Sequence, residues 1–337
     1  MKIQTTFVFG GALALLAPAH AQSPDAMQQI QNSQQQQQTG DLAQQTYSAG
    51  QDVPASYAGE VSDVGEQTVI APGPRPTYFE AVADAQYLHT DNMFLSGYNK
   101  QSADELISTA EFSLAPTPYP LWHGSFAPRV GYINQWYNFG LTGDKTDGAF
   151  PEKLNNFDFT AEMPYIDMAW ARNNWTFDAG FDFTSLISGQ TGPEFYREYT
   201  PHWGVQKLLP FTGNSSLDIG YEGDVRFGVL NDPAALPVAS DYNNRIDQDL
   251  MVAYTQKLCS HLMVQPYYSF QYTHFISGGV DRDDFLNTAG LSLYWMFTPQ
   301  VSARIFASYA AMNTTAHGIT DYNQLNEGFG LNLTFRF

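Results

Sequence analysis

The chain of 337 residues contains one cysteine and few positive charges. A single cysteine excludes an intramolecular disulfide and any zinc site built from several thiolates. There are 15 lysines and arginines against 34 acidic residues, which gives a formal net charge of −19. Nucleic-acid binding needs clustered positive charge, so this balance argues against nucleic acid as a partner.

The chain also lacks an apolar run of about 20 residues, the length that a transmembrane helix needs. Charged residues make up only 15% of the sequence, below the roughly 25% of an ordinary soluble domain. Aromatic residues, in contrast, reach 15%. This combination is typical of a membrane β-barrel, in which apolar residues alternate with polar ones along each strand.

Residues 1–21 are predicted to be a secretory signal peptide that is cleaved from the mature chain. Lys2 supplies a positive start, the segment FVFGGALALLA is apolar, and Ala19-His20-Ala21 matches an A-x-A cleavage site. The apolar segment is too short to span a bilayer. The sequence therefore predicts an exported protein.

Residues 22–76 are predicted to form a flexible, glutamine-rich periplasmic leader. A run of five glutamines lies within the segment NSQQQQQTG, and large apolar side chains are too sparse to offset the entropy of ordering the chain. A helical plug inside a barrel is the alternative. The segment PGPRP at 72–76 marks the boundary with the next domain. No feature identifies a periplasmic partner for the leader.

From Tyr78 onward the hydrophobic period becomes two, which indicates β-strands. In the segment SLDIGYEGDVRFGVL, Leu217 and Ile219 share one face, whereas Asp218 and Glu222 share the other. The pattern predicts an all-β fold, a transmembrane antiparallel up-and-down β-barrel of about twelve strands over residues 77–337, preceded by the disordered leader. The predicted strands are 78–89, 105–115, 121–138, 155–171, 174–187, 196–207, 216–230, 244–257, 261–275, 284–297, 300–311 and 325–337.

Ten or fourteen strands remain as alternatives, because the segments 105–115 and 196–207 alternate poorly. A slip in the alternation near Pro164 predicts a β-bulge. Connections of alternating length predict short periplasmic turns and longer outer loops, with both termini in the periplasm. Leu208–Ser215 is predicted as one connection that is longer than this pattern requires.

The last predicted strand carries a candidate assembly signal. This strand resembles the C-terminal signature of bacterial outer-membrane proteins, which ends in an aromatic residue and is read by the barrel assembly machinery. The resemblance implies a Gram-negative outer-membrane protein in contact with outer-membrane lipids. The residues that carry the signal share one face and are Phe329, Leu331, Leu333, Phe335 and Phe337.

The segment Asp91-Asn92-Met93-Phe94-Leu95 follows the first predicted strand. It resembles a motif of the beta-barrel porin 2 family of outer-membrane proteins, and the resemblance covers about residues 78–337. The resemblance implies a barrel with a pore, but it carries over no substrate and no functional residue beyond the motif. Taken alone, Asp91 and Asn92 are ordinary turn formers at a strand end.

The polar phase of each strand is predicted to face the lumen. Acids outnumber arginines in this phase, and His123 and His202 are further candidates. The predicted lumen-lining residues are Glu80, Asp84, Glu111, Arg129, Asp158, Glu162, Asp178, Asp182, Asp218, Glu222, Asp224, Arg226, Arg245, Asp247, Asp249, Arg304 and Arg336.

This acid excess predicts a water-filled passage for small hydrophilic solutes, with a weak preference for cations. A lumen closed by arginine–carboxylate pairs is one alternative. A second is a non-conducting structural or assembly barrel, such as an accessory to surface-polysaccharide export. A calcium or magnesium site between Asp247, Asp249 and the acids of 216–230 was weighed, but strand spacing is not a binding loop, so no metal is predicted.

The sequence predicts neither an enzyme nor a cofactor. Ser260 and His261 are neighbours in one predicted turn, so they cannot face each other as nucleophile and base. His89, His274 and His317 lie near predicted outer loops, where nothing in the sequence supplies a base with an orienting partner.

Overall fold

The computed structural model describes residues 26–31, 78–98, 100–141, 153–189, 192–231, 243–277, 281–316 and 319–337. The predicted signal peptide, most of the predicted leader, His317 and parts of the long connections lie outside these residues. The domain boundaries at residues 21 and 76 therefore stay predictions.

Alternating apolar and polar residues form thirteen strands in the described part of the chain. This alternation suits a wall with one polar and one apolar face. The strands are β1 (Phe79–Thr90), β2 (Ala103–Leu114), β3 (Tyr119–Leu121), β4 (Gly124–Phe139), β5 (Phe159–Arg172), β6 (Trp175–Ser188), β7 (Glu194–Thr212), β8 (Ser215–Leu230), β9 (Arg245–Lys257), β10 (Leu262–Phe275), β11 (Asp283–Thr298), β12 (Val301–Thr314) and β13 (Tyr322–Arg336).

Twelve of these strands close into an antiparallel barrel. From β4 to β13 each strand pairs with its neighbour in the chain, β13 pairs with β1, β1 pairs with β2, and β2 pairs with β4 to complete the ring. β3 forms only a small hairpin with the start of β4. The predicted all-β, up-and-down barrel of about twelve strands is therefore confirmed.

The two ends of the barrel differ in how their strands are joined. At one end, which we call the short-turn end, the turns include 173–174, 213–214 and 299–300. Longer connections join the strands at the opposite, long-loop end. The backbone N–H of Tyr78 donates to the carbonyl oxygen of Phe337 at 2.8 Å, so both ends of the barrel segment lie at the short-turn end.

The outer face of the wall is apolar. Ile305 is 64% exposed in the middle of this face, and the large side chains around it are exposed as well. Such a surface is suited to lipid rather than water. The candidate assembly signal lies on the same face, and its recognition by the assembly machinery stays a prediction. Its exposed residues are Phe329, Leu331, Leu333, Phe335 and Phe337.

β5 is regular, and the predicted bulge near Pro164 is wrong. The register with β4 runs without a shift from Arg129 opposite Asp167 to Tyr132 opposite Pro164 and beyond. Met163 faces the interior and is buried. Because the interior is apolar near the long-loop end, apolar residues change faces along β5 without any extra residue in the strand.

The predicted long connection Leu208–Ser215 is also wrong. β7 continues to Thr212, and Pro210 lies opposite Ser216 shortly before a local shift in register. Apolar residues at 208–211 alternate poorly, so the sequence pattern ends before the strand does. The turn at 213–214 is therefore as short as the other turns at this end.

A short inner helix at residues 26–31 lies inside the barrel, and its Met27 and Ile30 are buried. The side-chain amide of Gln29 donates to the carbonyl oxygen of Met93 at 3.3 Å, beside β1. That of Gln31 donates to Asp247 on β9 at 3.4 Å, five strands further round the ring. The helix therefore reaches across the lumen near the long-loop end. No helix among the described residues is long and apolar enough to cross a membrane.

We predict that Ile305→Lys destabilises the folded barrel in a bilayer by about 2–4 kcal/mol, the cost of a lysine near the middle of the lipid face. Urea unfolding in vesicles, followed by heat-modifiable gel mobility, measures this change. Gln248→Lys is the matched control, because Gln248 is exposed on the outer face near the long-loop end. It should cost less than about 1 kcal/mol. Equal effects of the two substitutions would contradict this placement of the lipid face.

Candidate functional site

Acidic side chains line a cavity of about 420 Å³ in the middle of the lumen. Nine carboxylates face this cavity, against the two arginines Arg129 and Arg226. A second cavity of about 1210 Å³ shares part of this wall and extends to Pro116, Gln300 and Phe337 at the short-turn end. The nine acids are Glu111, Asp167, Asp178, Asp182, Asp218, Glu222, Asp224, Asp247 and Asp249.

Strand register brings several of these acids side by side. Asp224 lies opposite Asp247, and Glu222 lies opposite Asp249, on the paired strands β8 and β9. Like charges directly opposite each other destabilise a sheet unless another group compensates them. The lumen therefore needs cations, water or arginines at this level.

Two arginines compensate the acids nearest the long-loop end. Arg226 lies 2.7 Å from Asp224, 2.8 Å from Asp247 and 3.2 Å from Glu198. Arg245 contacts the same Asp247 and Glu198, each at 3.1 Å. Glu198 is fully buried, and it also accepts a hydrogen bond from Tyr196 at 2.6 Å. We call Glu198, Asp224, Arg226, Arg245 and Asp247 the arginine network.

A histidine contacts two acids of the same cavity, nearer the short-turn end than the arginine network. His202 Nε2 lies 3.0 Å from Asp167, and Nδ1 lies 3.1 Å from Asp182. A Cβ atom at Gly180 would collide with both Asp167 and His202, so this close approach requires glycine. The three side chains are close enough to share a metal ion. Because each ring nitrogen already faces a carboxylate oxygen, we interpret them as a protonated histidine held between two acids.

Arginine–carboxylate pairs also line the lumen toward the short-turn end. Arg304 donates two hydrogen bonds to Asp84, at 3.1 and 3.0 Å. Arg129 lies 2.8 Å from Glu111 and 3.4 Å from Glu80. Glu80 also lies 3.1 Å from Arg336. These pairs neutralise the wall locally.

Three acids between these levels form a row across neighbouring strands. The strand register runs from Asp178 on β6 through Gly204 on β7 and Glu222 on β8 to Asp249 on β9. No lysine, arginine or histidine in the described part of the chain lies within salt-bridge distance of these three carboxylates. We call Asp178, Glu222 and Asp249 the acid row. The three acids therefore have no direct ion-pair partner within the described residues.

Most of the predicted lumen residues line one of the two cavities, and Asp84 and Arg245 are buried in inward-facing ion pairs. Glu162 was predicted to line the lumen, but it lies opposite Asn134 on the outer face, because β5 has no bulge. Asp158 was also predicted to line the lumen, but it precedes β5 and accepts a hydrogen bond from the Phe139 N–H at 2.7 Å. The pKa of the Asp158 carboxyl is raised, because the effect of burial outweighs that of the hydrogen bond from Phe139, which lowers it. His123 lies exposed in a turn.

Several inward acids, among them Asp167, Glu198, Glu105 and Asp284, are absent from the predicted lumen residues. Asp167 lies between Ile166 and Met168, which the alternation after Pro164 places on the outer face, so the same count would have placed Asp167 in the lumen. Glu198 shares its phase with His202, four residues along, but Pro201 and poor alternation concealed this strand. Glu105 shares the phase of Glu111, six residues further along β2, so counting by twos would have found it.

The histidines considered for catalysis contact other groups. His261 Nδ1 lies 3.0 Å from the backbone oxygen of Met296. His89 lies 2.9 Å from Asp104, and His274 lies 2.8 Å from Asp283. These contacts supply no nucleophile to any of the three histidines, so they add no support for an enzyme.

Comparison with known proteins identifies the fold but no family. No protein-family model matches the chain, and no curated protein matches it. An outer membrane channel from Pseudomonas putida F1 has 9% identity and a TM-score of 0.52, with 82% of this chain and all of that chain covered. The fold is that of an outer-membrane β-barrel. The resemblance to the beta-barrel porin 2 family has no match that confirms it.

Two further solved structures show lower structural similarity. The β domain of the Bordetella autotransporter BrkA has 14% identity and a TM-score of 0.43, covering 75% of this chain and 98% of that one. The KdgM porin in complex with disordered oligogalacturonate has 9% identity and a TM-score of 0.36, covering 75% and 99%. At these TM-scores the two structures carry no argument about function.

We predict that Glu198→Ala destabilises the barrel by about 3–5 kcal/mol, because it leaves buried N–H and O–H donors of Arg226, Arg245 and Tyr196 without their acceptor. Urea unfolding in vesicles measures the change. Asp218→Ala is the control, since Asp218 is buried and accepts a hydrogen bond from Gln206 at 3.0 Å but contacts no arginine among the described residues. It should cost about 1 kcal/mol. If Glu198→Ala lowers the free energy of unfolding no more than Asp218→Ala does, the arginine network does not stabilise the barrel as proposed.

Proposed function

We propose that the protein is an outer-membrane channel that passes small hydrophilic solutes and prefers cations. The observation that carries the proposal is the acid row, Asp178, Glu222 and Asp249, in the wall of the central cavity. Arginines and His202 compensate the other cavity acids except Asp218, so the row and Asp218 supply the charge that has no ion-pair partner among the described residues. The proposal places both ends of the barrel segment, Tyr78 and Phe337, on the periplasmic side, where the short turns of bacterial barrels lie.

The physical basis of the preference is electrostatic focusing. A narrow cavity with low-dielectric walls concentrates the field of its charges, which raises the local concentration of cations and lowers that of anions. Rings of Asp and Glu select cations in other pores for this reason. Glu222 is exposed to the cavity, and Asp178 and Asp249 are partly exposed, so their carboxylates are available to a hydrated ion.

The route begins in the larger cavity at the short-turn end. This cavity meets the central one in the middle of the lumen. Glu111, Arg129, Asp178 and Glu222 belong to the walls of both cavities, so a solute passes from one into the other. Toward the long-loop end, Met27 and Ile30 of the inner helix form part of the central wall. The inner helix therefore limits passage, and its position sets the conductance.

The same inner helix favours a second candidate function. A barrel whose lumen is filled by its own chain suits a non-conducting structural or assembly role, such as an accessory to surface-polysaccharide export. In that case the acid row would be solvated without serving transport. The two candidates differ in a direct observable, since only the channel carries current when the folded chain is placed in a bilayer.

We predict that the triple variant Asp178→Asn, Glu222→Gln, Asp249→Asn lowers the permeability ratio of K⁺ over Cl⁻ by up to about tenfold, since focusing by charge changes local ion concentration by this order. The reversal potential of the refolded mature chain under a KCl gradient measures the ratio. The variant leaves the arginine network intact, so folding should be preserved, and gel mobility checks this.

The control for this experiment replaces two carboxylates of the outer face, Glu162→Gln and Glu327→Gln. Glu162 lies opposite Asn134, and Glu327 lies opposite His89, both on the outer face. These substitutions change net charge almost as much but should leave the reversal potential unchanged. A folded triple variant with the selectivity of the native chain would contradict the claim that the acid row causes the preference for cations. A folded native chain that carries no current would favour the structural role.

A further inference from the structure

The long-loop end of the lumen is apolar, unlike the acid-lined cavity beneath it. Tyr137 and Phe159 stack there with ring centroids 4.3 Å apart, and Phe94 meets Phe157 edge to face at 4.9 Å. One buried cluster joins these rings to aliphatic side chains of neighbouring strands. We call this region the upper chamber, and its residues are Phe94, Ile107, Tyr137, Phe139, Phe157, Phe159 and Leu186.

The inner helix fills the upper chamber. Met27 and Ile30 are 2% and 1% exposed and belong to the same apolar cluster as the chamber residues. A small cavity of about 30 Å³ lies beside Ala26 and Gln29. The apolar contacts of Met27 and Ile30 with the chamber hold the described residues of the helix in place, so an apolar group that takes over these contacts would compete with the helix.

A buried acid in the chamber wall has a carboxylate oxygen without a partner among the described residues. Glu105 is 3% exposed, and its Oε1 atom has no hydrogen-bond partner within the described residues. It lies on the inner face of β2 between Ala103 and Ile107, and the strand register places it opposite Phe139 of the chamber. A buried carboxylate without a cation or a proton is costly. The helix brings apolar side chains to this wall, but it brings no positive charge.

We propose that the upper chamber binds an organic cation with an apolar body, and that the inner helix occupies the chamber when this ligand is absent. The cationic group pairs with Glu105, and the apolar body replaces Met27 and Ile30 among the aromatic rings. Aromatic faces attract an organic cation as well as an apolar group, which favours one ligand that carries both. The charge and the shape of the chamber thus define the ligand class.

This inference rests on the proposed function for the route by which the ligand arrives. Met27 and Ile30 lie in the wall between the upper chamber and the acid-lined cavity, because both also line that cavity beside Asp247 and Asp249. Cations concentrated at the acid row therefore reach the helix from below. Displacement of the helix joins the two spaces, so the same ligand that binds would also widen the passage that the helix restricts.

The test measures binding to the refolded, full-length mature chain by titration calorimetry. The probe is benzyltrimethylammonium, which carries a permanent charge and one ring. Tetramethylammonium supplies the charge without the ring, and benzyl alcohol supplies the ring without the charge. We expect the probe to bind at least about tenfold more tightly than either control, since each loses one half of the recognition.

Three variants locate the site. Glu105→Gln should weaken binding of the probe by about tenfold or more but leave benzyl alcohol unaffected. Met27→Ser combined with Ile30→Ser should tighten binding, because it weakens the competing helix and leaves the barrel wall unchanged. Glu162→Gln, the same change on the outer face, should have no effect.

Several results would overturn the inference. Equal binding of benzyltrimethylammonium and tetramethylammonium would show that charge alone is recognised, outside the chamber. Unchanged binding in the Glu105→Gln variant would show that this carboxyl carries a proton instead of pairing with a ligand. If the variant Met27→Ser, Ile30→Ser binds benzyltrimethylammonium no more tightly than the native chain does, the inner helix does not compete with the ligand. These outcomes are independent of the reversal potential, so a cation-selective channel without the binding site is distinguishable from a chain that carries no current.

Discussion

Backbone hydrogen bonding in a medium without water is the constraint on which this structure depends. A strand in lipid has no solvent to satisfy its N–H and C=O groups, so a sheet is stable there only if it has no free edge. Pairing of β2 with β4 closes the ring here, and β1 with β13 joins the two ends of the segment. Closure then fixes which side chains face lipid and which face the lumen.

That division explains the density of charge inside the barrel. Lipid accepts apolar side chains, so the acids of the regular strands collect on the inner face, where few arginines accompany them. Arg226 alone contacts three carboxylates, and Arg304 binds Asp84 through two hydrogen bonds. Sharing of this kind neutralises parts of the wall and leaves the acid row without a cation. The proposed selectivity follows from this uneven compensation.

The sequence predicted the parts of the structure that depend on alternation alone. Regular strands such as β8 were assigned correctly, and with them Asp218, Glu222 and Asp224 in the lumen. β5 misled the prediction because the inner face becomes apolar near the long-loop end, so alternation no longer tells inside from outside. The sequence left a helical plug open as an alternative for the leader, but it could not place the inner helix, because Met27 and Ile30 become buried only in a chamber that distant strands create.

The central claim is that an acid-lined lumen forms a passage which the inner helix restricts at one end. Single-channel recording of the mature chain, beside a chain that lacks residues 26–31, tests it most directly when both are shown to be folded by gel mobility. The account predicts larger current steps for the shortened chain, with reversal potentials that remain cation-selective. Equal conductance of the two chains, or larger steps without cation selectivity, would contradict it.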